Sequence, residues 1–562
     1  MDDVDAVQCQ IARNMLQSGD WVTARIDGVV YLEKSPLLYW LIASCYKIFG
    51  AYDWAARLPV ALSSIGLAWI TMLFGAWAFG RRAGLYAGTV IGTCVGLFLF
   101  TRIQIPDVTL TLTIALAMWS FLRALDEREE RPRLWACCLA ASLGLGLLLK
   151  SLIALVFPLG AAFFYLVFTR QLLSRRTWVR LRPLSGAGIV LAIAAPWHIW
   201  AMLRNPPYFD LTMASIPGQW HGFFWFYFIN EQLLRFLNLR YPRDYDTVPR
   251  SLFWLLHIAW LSPWSVYLPG VFRQSFRPVD RAGRTRLLAL CWIGVVLVFF
   301  SFSTTQEYYS MPCYPALALL IGCAMSSGGQ VVRWGTRVVS VIAGLAAITV
   351  FALASLVWHR PTPGDISVAL SSHPEAYKLS LGHMEDLTLA SLAYLRWPLV
   401  LAGLAFIIGA AGTIVWRGRK AMLAIALMMV VFYQAARLAL VSFDPYLSSR
   451  PIANALLHSP HGGLVIDHHY YTFSSVFFYT NRTALLLNGK FNNLVYGAAA
   501  PAAPSVFIDD AEFARLWAGR DRWYLAAEEN TWLRFNTLLG AKKVFPVLRS
   551  GGKYLLTNHP LD

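Results

Sequence analysis

The side chains that could do chemistry are concentrated in a few short polar segments of this sequence. Carboxylates, lysines, arginines and tyrosines occur in the N-terminal segment (Asp2, Asp3, Asp5, Glu33, Lys34), in the segments 102–107, 204–250 and 306–309, and at Lys150. A carboxylate can accept a proton or bind a cation, whereas Lys and Arg stabilise anionic oxygens. The residue types therefore fit acid–base chemistry combined with binding of an anion.

The segments that must position these side chains are long and apolar. Of the 562 residues, 57% are hydrophobic and only 14% are charged, whereas a soluble domain has about 25% charged residues. The mean hydropathy is +0.50. A transmembrane helix needs roughly 20 apolar residues, so the composition predicts a polytopic membrane protein and excludes a purely soluble enzyme.

Apolar stretches of sufficient length predict a mainly α-helical membrane bundle with about twelve spans. The stretches run roughly over 56–79, 84–101, 107–126, 133–149, 152–169, 185–203, 251–272, 285–302, 309–327, 334–357, 395–416 and 420–442.

The net charge of +17 is interpreted as a topology signal and not as a nucleic-acid-binding surface. Lys and Arg accumulate in the cytoplasmic loops of polytopic proteins. Arg-rich links fall between alternate pairs of spans, at 81–82, 123–133, 170–182, 273–286, 333–337 and 417–420. We therefore place these links in the cytoplasm, and the polar segments and both chain ends on the far side, the bacterial periplasm. For a single charge, anchoring of a span end in the lipid headgroups is the competing interpretation.

The pattern divides the chain into three parts. Residues 1–55 are predicted to form a first periplasmic loop, in which the apolar stretch Leu37–Phe49 lies along the membrane interface. Residues 56–442 form the transmembrane domain. Residues 443–562, where short apolar runs alternate with Gly, Pro, Asn and Asp, are predicted to form a soluble periplasmic α/β domain. The eight cysteines and the pair His468–His469 lack metal-ligand spacing, so no zinc site is predicted.

Several motifs occur in the order and spacing of a known enzyme family. The runs MLQSGDW at 15–21, YLEKSPLLYW at 31–40 and ARLP at 56–59 resemble the first outer loop of the GT-C glycosyltransferases. Further matches are the runs at 102–107, 196–197, 226–236, 263–264 and 309–318. The sequence resembles most the lipid A aminoarabinose transferases, glycosyltransferase family 83, which are related to the family 39 protein mannosyltransferases.

This resemblance implies an enzyme that moves a sugar from a polyprenyl-phosphate donor to a lipid, glycan or protein acceptor at the periplasmic face of the bacterial inner membrane. A lipid A-type glycolipid is the leading acceptor. The expected partners are the donor, the acceptor and membrane lipids, with no nucleic acid; no organic cofactor is expected, and a divalent cation stays an alternative. Because the family fold has a span before the acidic motif, we expect a helix to be encoded upstream of Met1.

The alternative class is a membrane transporter or a flippase of a lipid-linked sugar. A carrier is expected to show paired half-repeats and charges near the bilayer centre. Here the charges lie at the ends of the spans and a soluble domain follows them, which favours the enzyme.

The resemblance also gives candidate roles. Where the family has an Asp-Glu pair, this chain has Val4 and Asp5, with Asp3 one step earlier. Either Asp3 or Asp5, together with Asp107 as a second acid, is the candidate for activating the acceptor. Asp107 could instead cap the helix that begins after Pro106.

The remaining candidates are predicted to bind substrate. They are Glu33, Lys34, Arg57, Arg102, Lys150, Glu231, Arg235, Gln306, Glu307, Tyr308 and Tyr309. Lys34 is the first candidate for stabilising the donor phosphate, followed by the three arginines, whereas Lys150 either pairs with the phosphate or anchors a helix end. Glu33 orients Lys34, binds a metal or does neither. The run 306–309 hydrogen-bonds or stacks on a sugar, or belongs to an aromatic belt.

Overall fold

The N-terminal segment folds into a helix, a tight hairpin and a second helix. In the computed structural model, which describes residues 1–243, 247–371, 381–540 and 543–561, these are α1 (Asp3–Ser18), β1 (Arg25–Ile26), β2 (Val29–Val30) and α2 (Leu37–Phe49). The hairpin turn has Asp27 at φ 47° and Gly28 at φ 82°, the left-handed values that a two-residue type I′ turn requires. The turn returns the chain towards the loop 31–36, which carries Glu33 and Lys34.

The transmembrane part contains α3 (Asp53–Phe79), α4 (Arg81–Gly92), α5 (Val95–Phe100), α6 (Asp107–Leu125), α7 (Pro132–Lys150), α8 (Ile153–Phe168), α9 (Arg175–Leu181), α10 (Pro183–Arg204), α11 (Gly222–Phe224), α12 (Arg250–Trp260), α13 (Leu268–Val271), α14 (Arg281–Phe302), α15 (Tyr314–Ser327), α16 (Gln330–Val357), α17 (Arg396–Val415) and α18 (Arg419–Ser442). Within the described residues, nine helical segments are long and apolar enough to cross a membrane. The predicted fold class, a mainly α-helical membrane bundle, is confirmed.

Three of the predicted spans are shorter or broken. The stretch 84–101 is divided into α4 and α5, 152–169 contains the 16-residue α8, and 251–272 is divided into α12, a 3-10 turn and α13. The two broken stretches support each other, since Val95 N donates to Ser262 O at 3.1 Å and Trp264 Nε1 donates to Thr93 Oγ1 at 3.0 Å. Such pairing is what a helix break needs inside a bundle, where water is excluded.

The long outer link after α10 contains α11 and a π-helix at Trp225–Leu234. Its aromatic side chains pack against α10, with the Trp197 ring perpendicular to those of Phe223 and Tyr227 at centroid distances of 5.4 and 5.6 Å. This packing fixes the π-helix, which carries Glu231.

The C-terminal part is an α/β domain, as predicted. It contains α19 (Asp444–Leu447), α20 (Arg450–His458), β3 (Gly463–Asp467), α21 (Ser474–Thr480), β4 (Leu485–Leu487), α22 (Asn493–Gly497), β5 (Phe507–Ile508), α23 (Asp510–Trp517), β6 (Trp523–Glu528), α24 (Trp532–Leu539), β7 (Phe545–Ser550) and β8 (Lys553–Thr557). The six-stranded sheet has the order β5-β4-β3-β6-β8-β7. Neighbouring strands from β5 to β6 are parallel, and β8 pairs antiparallel with β6 and β7.

This domain packs directly against the N-terminal segment. α1 lies between α2 and α21, and Gly497 of α22 approaches β2 so closely that a Cβ there would lie 2.2 Å from Val30 O. The N-terminal hairpin and the C-terminal domain therefore form one outer layer above the membrane helices.

Candidate active site

Most of the candidate residues line one cleft beneath this outer layer. The cleft has about 800 Å³ of empty volume. It lies where the start of α6, the end of α7, the loop 31–36, the π-helix and a 3-10 turn before α15 (Glu307–Cys313) meet. Of the residues proposed from the sequence, Glu33, Lys34, Asp107, Lys150, Glu231, Arg235, Tyr308 and Tyr309 line it.

Asp107 and Lys150 form an ion pair in this cleft, with Lys150 Nζ 2.5 Å from Asp107 Oδ1. Asp107 is the buried first residue of α6, and Lys150 is the last residue of α7. The ammonium also lies 4.7 Å from the ring centroid of Tyr309 and 5.3 Å from that of Tyr308, within cation–π range. The start of α6 and the end of α7 thus place a carboxylate and an ammonium group side by side.

Glu33 and Lys34 form a second ion pair, on the loop after β2. Glu33 also accepts hydrogen bonds from the Tyr31 hydroxyl and from Asn493 Nδ2, the latter at 2.6 Å. Burial disfavours its charged form, but the neighbouring cations, Lys34 first, outweigh burial and lower the pKa of Glu33. Glu33 is therefore held as a carboxylate. Because Lys34 has three N–H donors, it can bind an anionic oxygen without releasing Glu33.

Arg235 crosses the cleft from the end of the π-helix. Its guanidinium lies 2.7 Å from Glu231 Oε2 and 4.0 Å from Glu33 Oε1, and it donates to the Tyr309 hydroxyl at 3.0 Å. Burial opposes its charge, but the Tyr309 hydroxyl and the two carboxylates raise the pKa of Arg235 well above its ordinary value. Arg235 therefore stays charged in a buried position.

Two members of this network are absent from the sequence-based candidates. Arg240 donates to Glu231 and, at 2.7 Å, to Asn493 Oδ1. Asn493 in turn donates to Glu33. It belongs to α22 of the C-terminal domain, and no motif or pattern around it points to the site. The C-terminal domain thus contributes a side chain to the network.

Cations and carboxylates meet in the cleft. Lys34, Lys150 and Arg235 contact Glu33, Asp107 and Glu231. In a site of low dielectric constant, cations that are already held in position attract an anion strongly.

Asp5 lies beside the cleft and not in its wall. Its carboxylate is 2.6 Å from Arg57 NH2 and accepts from Gln104 N at 2.8 Å. Arg57 NH1 also donates to Arg102 O at 2.6 Å. Burial raises the pKa of Asp5, with the charge of Arg57 opposing it. Asp5, Arg57 and Arg102 thus brace the link that leads to Asp107, and they are not among the residues that line the cleft.

Asp3 points into the interface with the C-terminal domain. Its carboxylate is 2.7 Å from Lys553 Nζ and accepts from Ser449 Oγ at 2.9 Å and Ser475 N at 2.8 Å. Asp3 is therefore a buried residue that joins α1 to the C-terminal domain, and it does not line the cleft.

Only the second half of the run 306–309 lines the cleft. Tyr308 and Tyr309 line the cleft, whereas Gln306 and Glu307 are outside its lining. Glu307 is buried and Gln306 is partly buried. In the run 306–309, only the two tyrosines are therefore placed to contact a substrate in the cleft.

The residues present fit a metal ion poorly. Across the part of the chain that the structure describes, no group of three or more His, Cys, Asp or Glu side chains is arranged to hold one. At Glu33, the side chain named as a metal ligand, both oxygens already accept from Lys34, Tyr31 and Asn493. A cation there would have to displace these donors.

Comparison with known proteins relates this arrangement to membrane sugar transferases. Residues 33–200 match the family of dolichyl-phosphate-mannose-protein mannosyltransferases. The undecaprenyl phosphate-alpha-4-amino-4-deoxy-L-arabinose arabinosyl transferase of Erwinia tasmaniensis is 26% identical over 530 residues, which cover 91% of this chain and 86% of the relative. The protein of the same name from Pseudomonas aeruginosa is 30% identical over 376 residues, 63% of this chain and 61% of the relative.

The fold is also similar to a solved structure. ArnT from Cupriavidus metallidurans bound to undecaprenyl phosphate superposes with a TM-score of 0.79 at 21% sequence identity, covering 99% of this chain and 93% of that one. Its apo state gives a TM-score of 0.75.

The helical membrane bundle and these similarities relate the chain to the membrane glycosyltransferases of the GT-C class. Within that class the chain resembles the undecaprenyl phosphate aminoarabinose transferases, as its motifs predict.

Proposed function

We propose that this enzyme transfers a sugar from a polyprenyl-phosphate donor to an acceptor at the outer face of the membrane, with a lipid A-type glycolipid as the leading acceptor. The observation that carries the proposal is the juxtaposition of Asp107 with the cation cluster of the cleft, 2.5 Å from Lys150. One group can take a proton while its neighbours stabilise a departing phosphate. The names of the relatives supply the donor class, an undecaprenyl-phosphate-linked aminopentose.

The ion pairs suggest how binding of the donor phosphate is coupled to activation of the acceptor hydroxyl. A donor phosphate that binds Lys34 and Lys150 competes with Asp107 for the Lys150 ammonium and frees the carboxylate. The acceptor hydroxyl oxygen then forms a bond to the anomeric carbon, and its proton passes to Asp107. The bond from that carbon to the phosphate oxygen breaks, and the electron pair leaves with the polyprenyl phosphate. Lys34, Lys150 and Arg235 stabilise this growing negative charge.

The cations of the protein supply the positive charge that this step needs. We propose that neither an organic cofactor nor a divalent cation at Glu33 takes part, because the Glu33 carboxylate already holds Lys34 in position.

We further propose that the cleft and the C-terminal domain face the periplasm from the bacterial inner membrane. Asp107 begins α6, whereas Arg123 and Asp126, in the Arg-rich link, lie at its other end. A helix of 19 residues separates its ends by about 28 Å, close to the thickness of a bilayer core. Arg281 and Arg180, from two further Arg-rich links, contact Asp126. Three of the six Arg-rich links thus meet at the end of α6 opposite the cleft.

A transfer assay tests the proposal. The purified chain in lipid vesicles, with an undecaprenyl-phosphate-linked aminopentose and a lipid A acceptor, should form the glycosylated acceptor. Asp107→Asn should lower turnover by about 10²-fold, as loss of a general base does, while the exposed Asp521→Asn keeps it. A flippase would move the donor lipid across the vesicle membrane without forming product, and that outcome would refute transferase activity.

A further inference from the structure

A second polar cleft lies outside the candidate active site, between α1, the β1–β2 hairpin and α21. It has about 940 Å³ of empty volume and shares no lining residue with the active-site cleft. Its walls combine amide, hydroxyl and charged side chains, chiefly Gln10, Asn14, Thr23, Arg25, Asp27 and Asn481. Met15 and Phe477 add apolar surface. The proposed transfer reaction gives this cleft no role.

Two of its lining side chains each carry one buried oxygen that has no hydrogen-bond donor. Gln10 is 6% exposed and Asp27 is 7% exposed. Within the described residues, Gln10 Oε1 and Asp27 Oδ2 have no hydrogen-bond partner. A buried acceptor left unsatisfied destabilises the folded protein, and a carboxylate oxygen does so more strongly than a neutral one. Both atoms therefore favour a ligand that brings hydrogen-bond donors.

The neighbouring polar groups are fixed in orientation by one another. Gln10 Nε2 donates to Asn14 Oδ1 at 2.9 Å, and Asn14 Nδ2 donates to Arg25 O at 3.0 Å. The Arg25 guanidinium donates to Gly28 O at 3.2 Å through NH1 and keeps further N–H groups for a ligand. Such fixed groups lose little freedom when a ligand binds.

We propose that this cleft binds a saccharide ring. A sugar offers hydroxyl donors to Gln10 and Asp27, and its hydroxyl and ring oxygens can accept from Arg25. The C–H faces of the ring fit the apolar surface of the cleft. A metal ion fits less well, because a guanidinium and neutral amides surround a single carboxylate. The site is separate from the donor cleft, and the proposal does not depend on the transfer chemistry.

Saturation-transfer NMR on the full chain in nanodiscs tests this site directly. The probes are the methyl glycosides of glucose, galactose, glucosamine and N-acetylglucosamine. At least one should bind, and Asp27→Asn and Gln10→Met should each weaken it by roughly fivefold, the effect of one lost hydrogen bond. The matched control Asp521→Asn, an exposed carboxylate of the C-terminal domain, should leave the affinity unchanged.

The variants are chosen so that misfolding cannot imitate the result. Asn enters left-handed conformations readily, so Asp27→Asn preserves the hairpin turn at φ 47°, and thermal unfolding checks each protein. Lys34→Ala, in the donor cleft, should bind the glycoside as the unmodified chain does. The proposal is overturned if no glycoside binds, if binding is the same in Asp27→Asn and Gln10→Met, or if Lys34→Ala alone abolishes it.

Discussion

Lys34 and Lys150 each have a carboxylate partner before any substrate binds, Glu33 for the first and Asp107 for the second. Pairing reduces the free energy needed to bury these charges. The two pairs differ in how firmly the carboxylate is held. Glu33 has two further donors, Tyr31 and Asn493, so a phosphate should displace the Lys150 partner more readily than the Lys34 partner.

Replacement of Lys34 by Ala should lower kcat/KM by about 10²- to 10³-fold, because a preorganised charge on the leaving phosphate is lost. The measurement is the rate of sugar transfer from a polyprenyl-phosphate donor by purified protein. Lys420→Ala removes the same charge from an exposed position in an Arg-rich link and serves as the control. Equal rates in Lys34→Ala and the unmodified chain would contradict the assignment of Lys34 to the phosphate.

Asp27 should destabilise the folded protein at alkaline pH. Burial raises its pKa to about 7 from an ordinary value of 3.8. The folded state therefore binds an extra proton between these values, and stability falls as pH rises through this window. Asp27→Asn should increase the free energy of unfolding by roughly 1–3 kcal/mol at pH 8 and by less at pH 5. Thermal unfolding in detergent at the two pH values measures this, and an equal gain at both would refute the linkage.

At the scale of elements, α1 is tied at its start to two different parts of the molecule. Asp3 joins it to β8 through Lys553, and Asp5 joins it to α3 through Arg57. The residues lie two positions apart on one helix, and side chains at that spacing do not share a face. α1 therefore connects the C-terminal domain with the membrane bundle.

Loss of the ion pair between Asp3 and Lys553 should destabilise the packing of α1 against the C-terminal domain. Lys553→Met leaves the buried Asp3 carboxylate without its cation, which should cost about 3–5 kcal/mol. The double variant Asp3→Asn/Lys553→Met removes both charges and should recover part of that loss. Thermal unfolding of the two single variants and the double variant measures the coupling. Additive losses would show that the pair does not act as a unit.

At the scale of the whole molecule, α6 runs from the cleft to an Arg-rich link. Its first residue, Asp107, lies in the cleft, and its last turn carries Arg123, which pairs with Glu129 in the following link. The same helix therefore fixes the distance between Asp107, the proposed proton acceptor, and the Arg-rich link at its other end.

The proposed orientation predicts the outcome of reporter fusions after residue 442. Alkaline phosphatase fused there should be active, because the C-terminal domain is proposed to face the periplasm, and a reporter that works only in the cytoplasm should be silent. A fusion in the Arg-rich link 417–420 should give the opposite pair of results. The reverse pattern at both positions would overturn the orientation and the outward-facing cleft with it.

The sequence by itself determined that this chain is a helical membrane protein with an α/β domain in its C-terminal part. A membrane-spanning helix requires a run of roughly 20 apolar residues, which is visible in the sequence alone. Stretches such as 56–79 and 285–302 meet this requirement. The ordered motifs of the first 325 residues determined the resemblance to GT-C glycosyltransferases. Local sequence also made Asp107 and Lys150 candidates, since charges at the ends of apolar spans are conspicuous. Glu33 and Lys34 became candidates through the run at 31–40, which resembles the family.

Only the tertiary structure decided which candidates meet. Asp3 and Asp5 were equivalent in the sequence, yet the direction of α1 sends one carboxylate to Lys553 and the other to Arg57. Asn493 and Arg240 are 253 positions apart and still share a hydrogen bond. Contacts of this kind depend on how helices and domains pack, because pattern along the chain specifies which face of an element is apolar but not which distant side chain will face it.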